Sequence, residues 1–223
     1  MDMLPAERIE AVLQRLLKVY GIPEWRQPLP AVDELVSTIL SQNTNDVNRD
    51  KAFNALKARF ADWDAVRNAP DDEVIDAIRI AGLANQKGPR IQAVLNQIHS
   101  EVGSLDLSFL AKLPVEDARA WLTRFKGVGL KTAAIVLLFT LDRPAFPVDT
   151  HIHRVSGRLG VRPEKLDLEK THRLMEELID PAHYYAGHLN LIRLGRETCH
   201  ARKPDCANCP VLDLCAHPQL PAA

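Results

Sequence analysis

The sequence predicts an all-α protein built as two helical lobes. Three observations carry that expectation. Apolar residues recur at spacings of three and four along most of the chain, the period of an amphipathic helix. No stretch alternates apolar and polar residues as a half-buried strand would. Pro144 and Pro147 interrupt the helical pattern and mark a boundary between lobes. The composition fits a soluble globular chain, with 46% hydrophobic and 26% charged residues. A length of 223 residues suffices for one large domain or two small ones with a sizeable core.

The elements follow in order. Ile9, Val12, Leu13, Leu16, Leu17 and Tyr20 form one helical stripe, and Gly21 can close it. GIPEWRQPLP, residues 21–30, holds three prolines and reads as a loop. Leu35, Val36, Ile39 and Leu40 open a second stripe; Val47, Phe53, Leu56 and Phe60 fit a third. Asp71 or Asp72 can cap a helix carrying Val74, Ile75 and Ile78, closed by Gly82. Ile91, Val94, Leu95 and Ile98 mark another helix, ending near Gly103. Residues 115–125 are amphipathic around Trp121 and Leu122. AAIVLLFTL, residues 133–141, is apolar all round, as a helix buried on every side must be. DTHIHRVSGRLG, DLEKTHRLMEELID and PAHYYAGHLNLIRLGRETC read as three further helices, for about ten in all.

Several function classes are disfavoured. No apolar stretch approaches the roughly 20 residues needed to cross a bilayer. The start, MDMLPAERIEAVL, is acidic early and lacks a signal-peptide pattern, so an intracellular, reducing location is expected. Aromatic residues make up 5%, too few for a platform that stacks many bases. The net charge of −1 is not the footprint of a strongly basic nucleic-acid binder. Any DNA contact has to come from a local basic patch and from backbone N–H groups.

All four cysteines, Cys199, Cys206, Cys209 and Cys215, lie in CHARKPDCANCPVLDLC, spaced C-x6-C-x2-C-x5-C. Two disulfides do not suit a reducing compartment. Four-cysteine zinc sites pair two short knuckles, and here one pair is close. An iron–sulfur cubane is larger than a single ion and suits wider spacings. Spacing alone leaves zinc and iron–sulfur comparable. His200 and His217 lie nearby, but four cysteines complete a site, so both read as surface residues.

FKGVGLKTAA, residues 125–134, carries the chemistry. Gly127 and Gly129 allow a tight turn with exposed N–H groups, and a helix starts at once. N–H groups at a helix start bind phosphate without side-chain charge, the logic of a helix-hairpin-helix; a plain corner between helices is the simpler reading of GVG alone. Lys131 falls in the first turn of the buried helix. There the dipole and partial burial favour the neutral amine, a nucleophile able to form a Schiff base. A lysine reaching to water is its ordinary role. Eighteen residues on, Asp149 in PVDTHIHRV stands at another helix start. Its ordinary role is an N-cap; its chemical one is to activate the lysine or stabilise positive charge on a sugar.

Taken together, these residues resemble the endonuclease III family of helix-hairpin-helix DNA glycosylases. GVGLKTA resembles the family's hairpin with its lysine, PVDTHIHRV its aspartate segment, and the cysteine tail its [4Fe–4S] loop. AGLANQK at 81–87 and the ILSQNTND region extend the likeness over nearly the whole chain, and the combination favours iron–sulfur over zinc. The resemblance implies a six-helix barrel over 31–143, with the hairpin at about 113–133, and a cluster domain of 1–30 plus 144–223. Double-stranded DNA would be bent in a cleft between the lobes, and a damaged pyrimidine flipped out. Lys131 would attack C1′ and Asp149 assist departure of the base, with a nick 3′ to the lesion by β-elimination. Leu83 would wedge into the duplex, and Gln42 or Asn43 would fill the gap. Lys126, Gly127, Gly129, Arg202 and Lys203 would meet phosphates. The protein would act as a monomer in the cytoplasm, on the nucleoid. Alternatives are a monofunctional mismatch or adenine glycosylase, disfavoured by Lys131, and a non-catalytic DNA-binding iron–sulfur module, disfavoured by Lys131 together with Asp149. A simple electron carrier leaves the hairpin unexplained.

The chain departs from the family pattern at Phe125-Lys126, where Leu-Pro is usual, and at Leu130, where a basic residue is frequent. QNT replaces the usual glutamine motif, and Ala84 follows Leu83 where tyrosine is common.

Overall fold

The computed structural model describes residues 3–24 and 28–218. They form eleven α-helices and no strand. In order these are α1 (Pro5–Tyr20), α2 (Ala31–Ser41), α3 (Asp46–Arg59), α4 (Trp63–Asn68), α5 (Asp71–Ala77), α6 (Ala84–Val102), α7 (Val115–Thr123), α8 (Leu130–Leu141), α9 (Thr150–Arg158), α10 (Leu168–Leu178) and α11 (Tyr184–Glu197). Within the proline-rich stretch at 21–30, residues 21–24 and 28–30 are non-helical, and residues 25–27 lie outside the described residues. The chain separates into two compact units, Pro28–Arg143 and Met1–Gln27 with Pro144–Ala223.

In the first unit, α8 packs on α2 and α7, and α6 packs on α4 and α5. Leu35, Ile39, Leu40, Ile91, Leu95 and Leu137 are wholly buried, each worth about 1.5–3 kcal/mol of transfer free energy. The apolar run of α8 buries nearly every side, as its composition requires. Val47 departs from the expected stripe: it sits in the first turn of α3 with 62% of its surface exposed. Neither Asp71 nor Asp72 caps α5. Pro70 is the N-cap, and both aspartates lie inside the first turn, where their charge still suits the dipole. The short helix α4 escapes the periodicity argument because its six residues span under two turns, yet Asp62 caps it by accepting the Ala65 N–H at 2.7 Å.

The helix carrying Trp121 stops at Thr123, two residues short of the predicted end, and Phe125 turns inward. Its ring meets Trp121 edge-on at 4.8 Å, and Trp121 meets Phe109 at 5.1 Å. Edge-to-face pairs of this kind add about 0.5–1.5 kcal/mol each beyond burial. Phe125 therefore anchors the entry to the hairpin, and Lys126 stays exposed.

In the second unit, α11 packs against α1 and α9. The extended segment 144–148 leads into α9, and Ala145 through Val148 are buried. Backbone groups in such a segment need partners. Glu176 of α10 accepts the Phe146 N–H at 2.7 Å, His172 Nδ1 bonds the Phe146 carbonyl at 3.1 Å, and His188 Nδ1 bonds the Pro147 carbonyl at 2.8 Å. A carbonyl only accepts, so each histidine carries its proton on Nδ1.

Candidate functional site

Gly127 takes a φ of +87°, which a glycine adopts freely, and Val128 N–H closes the turn on the Phe125 carbonyl at 2.9 Å. Gly129 is the N-cap of α8, in extended backbone that any residue can take. The N–H groups of Leu130, Lys131 and Thr132 head the helix without intrahelical acceptors and aim at whatever lies before it. Lys131 is half-buried in that first turn. Among the described residues of its own unit, no hydrogen bond or ion pair occupies its ammonium.

Gln42 and Asn43, alike on paper, differ in the fold. Arg90 Nη1 donates to Gln42 Oε1 at 2.8 Å, and Gln42 Nε2 donates to the Gly127 carbonyl at 3.0 Å. Gln42 thus ties the α2–α3 turn to the hairpin. Asn43 is exposed and left-handed, with φ +54°. Leu83 is also left-handed, φ +52°, and 48% exposed just ahead of α6. Lys87, in the first turns of α6, is 1% exposed and supports both turns. The sequence reading passed over Lys87 and Arg90. Their signal was present: Lys87 falls on the apolar stripe of Ile91, Leu95 and Ile98, where a cation needs a reason to be.

In the other unit, Asp149 caps α9 by accepting the Ile152 N–H at 2.8 Å, so its ordinary role is real. One carboxylate oxygen is used in this way, and the residue is only half-buried.

The four cysteines form no disulfide. All four line one cavity whose wall includes Val155, Leu159, Leu194 and Val211. Among the described residues, no three His, Cys, Asp or Glu side chains gather closely enough to hold a single ion. Four thiols lining one apolar cavity can serve as the ligands of an iron–sulfur cluster. Burial pushes the Cys209 and Cys215 thiols up, and the neighbouring cysteines add to it. A cationic metal core bound there would reverse that balance and favour the thiolates.

The loop is held from outside. Arg158 of α9 donates to the His200 carbonyl at 2.6 Å, to the Ala201 carbonyl at 2.9 Å and to Cys199 Sγ at 3.4 Å. Arg154 donates to the Cys199 carbonyl at 2.9 Å. From α1, Arg8 reaches the Leu214 carbonyl at 2.7 Å and Arg15 the Pro210 carbonyl at 3.1 Å. Arg202 and Lys203 stand exposed on the loop, Lys203 with φ +52°. His200 and His217 are exposed as well.

Comparison with known proteins adds to this geometry. The model of the HhH-GPD superfamily of base excision DNA repair proteins matches residues 36–181, and that of the iron–sulfur binding domain of endonuclease III matches residues 199–215. An Arabidopsis thaliana protein provisionally named a DNA glycosylase is 44% identical over 141 residues, 63% of this chain and 48% of its own, so the chain spans about half of that relative. Endonuclease III of Sulfolobus acidocaldarius is 36% identical over 191 residues, 82% of this chain and 80% of its own. Two solved complexes of endonuclease III with DNA, one non-covalent and one a trapped covalent intermediate, match with a TM-score of 0.80 at 27% identity. They cover 96% of this chain and 96% and 97% of theirs.

Proposed function

The chain belongs to the HhH-GPD superfamily of base excision DNA repair proteins, as an endonuclease III-like DNA glycosylase with a [4Fe–4S] cofactor, and from that premise we propose that it is a bifunctional glycosylase and AP lyase removing oxidised pyrimidines of the thymine glycol type from duplex DNA. The observation that carries the reading is Lys131: a half-buried lysine in the first turn of α8, directly behind a glycine hairpin.

Lys131 Nζ attacks C1′ of the flipped nucleotide with its lone pair, the N-glycosidic bond breaks with its electron pair going to the base, and the base takes a proton from water as it leaves. Loss of the amine proton and opening of the sugar give a Schiff base between Nζ and C1′. Removal of a C2′ proton then expels the 3′ phosphate by β-elimination, and hydrolysis returns the lysine. Asp149 keeps a carboxylate for the developing positive charge while one of its oxygens caps α9. The N–H groups heading α8 and the exposed Lys126 bind the backbone phosphate, with Arg202 and Lys203 as further phosphate contacts. Cys199, Cys206, Cys209 and Cys215 hold the cluster, whose part is to fix the shape of the loop that presents those two residues. The protein works as a monomer inside the cell, at DNA.

Borohydride trapping tests the reading. Wild type is expected to form a covalent adduct with duplexes carrying thymine glycol or an abasic site, and Lys131→Ala to form none. No adduct from wild type on any lesion sinks the lyase assignment and leaves the monofunctional glycosylase. Normal cross-linking by Lys131→Ala means that another amine is the nucleophile.

A further inference from the structure

Lys87 is a buried cation that no step above uses. Its Nζ donates to the Leu40 carbonyl at 2.7 Å, to Thr44 Oγ1 at 2.7 Å and to the Ala81 carbonyl at 2.9 Å. An ammonium has three protons, so the set is complete. Thr44 Oγ1 in turn donates to the Ala81 carbonyl. The three acceptors share a purpose. Leu40 lies at the end of α2, Thr44 closes the turn after it, and Ala81 ends the 3-10 turn just ahead of Gly82 and Leu83. Between them these segments carry Asn43 and Leu83, both exposed and both in the left-handed region.

A leucine rarely adopts that backbone and an asparagine does so more readily, and it persists where the surroundings over-determine it. Lys87 bonds both of the segments that carry these strained residues. An apolar side chain would fill the same volume, but it could not draw two carbonyls and a hydroxyl from separate segments onto one atom. Three residues on, along the same helix, Arg90 holds Gln42, and Gln42 holds the hairpin carbonyl of Gly127. Two cations of α6 therefore connect the α2–α3 turn, the turn before α6 and the hairpin.

We propose that Lys87 is the positioning residue of a two-pronged wedge, Asn43 and Leu83, that opens the duplex, with Gln42 bracing its base against the hairpin and staying out of the DNA. The proposal rests on the reading of the protein as a base-flipping glycosylase. Lys87 touches neither substrate nor lysine nucleophile. It acts by keeping two side chains at one spacing, and a displacement of about 1 Å in such a device can cost 100-fold.

The test compares Lys87→Met with wild type on two substrates, an abasic site in a duplex and the same site in a single strand, which needs no wedge. A 2-aminopurine opposite the site reports unstacking. The variant is expected to lose trapping on the duplex about 10- to 100-fold. Its loss on the single strand is expected to be much smaller, and the fluorescence rise on binding duplex to disappear. Equal losses on both substrates, or full activity and fluorescence on the duplex, overturn the proposal. If Lys87→Met does not fold, Thr44→Val removes one acceptor with little change of shape and carries the same comparison. If wild type traps neither substrate, the lyase reading fails by itself, and the 2-aminopurine signal still decides the role of Lys87.

Discussion

Gly127 and Gly129 look interchangeable in GVG, and the fold separates them. A methyl on Gly127 would run into the Arg90 side chain and would have to adopt a φ of +87°, whereas a methyl on Gly129 meets nothing within 4 Å. Gly127→Ala is expected to cost about 1–2 kcal/mol from the backbone alone, more if Arg90 moves and releases Gln42. Gly129→Ala is expected to cost less, about 0.5–1 kcal/mol, because alanine caps a helix less well than glycine but meets no clash and no left-handed backbone here. Urea denaturation of the two variants side by side checks this, and equal losses would refute the distinction. Asp149 permits a similar separation of roles. Asparagine caps a helix as well as aspartate does. Asp149→Asn is expected to leave the melting temperature nearly unchanged while excision falls about 100-fold or more. A variant that melts early and excises in proportion would leave Asp149 as a cap only.

At the scale of elements, two helices hold a functional segment by buried polar bonds. His188 of α11 and His172 of α10 grip the extended run that delivers Asp149 to α9. His188→Leu leaves the buried Pro147 carbonyl without its donor, at a cost of about 1–3 kcal/mol. Excision is expected to fall with it, because the base of Asp149 loosens; melting and single-turnover excision measured on one preparation check the pairing of the two losses. Helix α6 carries a pH signature. Burial holds the Lys87 ammonium below the ordinary lysine value, and the charge of Arg90 adds to this. Between that depressed value and the ordinary one near 10.4, the unfolded chain binds more protons than the folded one. The contribution of Lys87 to stability is therefore least favourable below its folded pKa and improves as pH rises through that window. The difference in melting temperature between wild type and Lys87→Met should widen in favour of wild type from neutral to about pH 10. A difference that narrows contradicts the sign.

For the molecule as a whole, a net charge of −1 means that affinity for DNA rests on local contacts. Binding is still expected to weaken with salt, by a slope of about −0.9 in log K per phosphate neutralised, and Arg202→Ala and Lys203→Ala should each reduce that slope by about one. A slope unmoved by both variants removes the cluster loop from the interface. The purified protein is expected to be brown, with about four irons and four sulfides per chain, and Cys206→Ser should bleach it. Colourless protein with one zinc per chain would overturn the cluster. Among the described residues no helix is long and apolar enough to cross a membrane.

Local rules made much of this legible in the sequence. Helical periodicity, glycine caps such as Gly21 and Gly103, the aspartate cap of α9 and the buried run of α8 are short-range consequences of backbone geometry and side-chain chemistry, and they hold in the structure. The cysteine spacing marked a metal-binding loop for the same reason, since all four cysteines lie within 17 residues, and the family resemblance then favoured iron–sulfur over zinc. The misses mark where that logic ends. Val47 fitted a period and faces water, and α4 was too short to show one. Tertiary structure alone distinguished the contacts of Gln42 from those of Asn43 and gave Lys87 its acceptors at Leu40 and Thr44, because those contacts join residues 43–48 positions apart. It also explained Phe125, which reads as a departure in the hairpin and folds as the inward end of an aromatic stack. Helix and cap follow from neighbours along the chain; the setting of the turns at Asn43 and Leu83 depends on which backbone and hydroxyl oxygens a buried ammonium can reach in the folded chain.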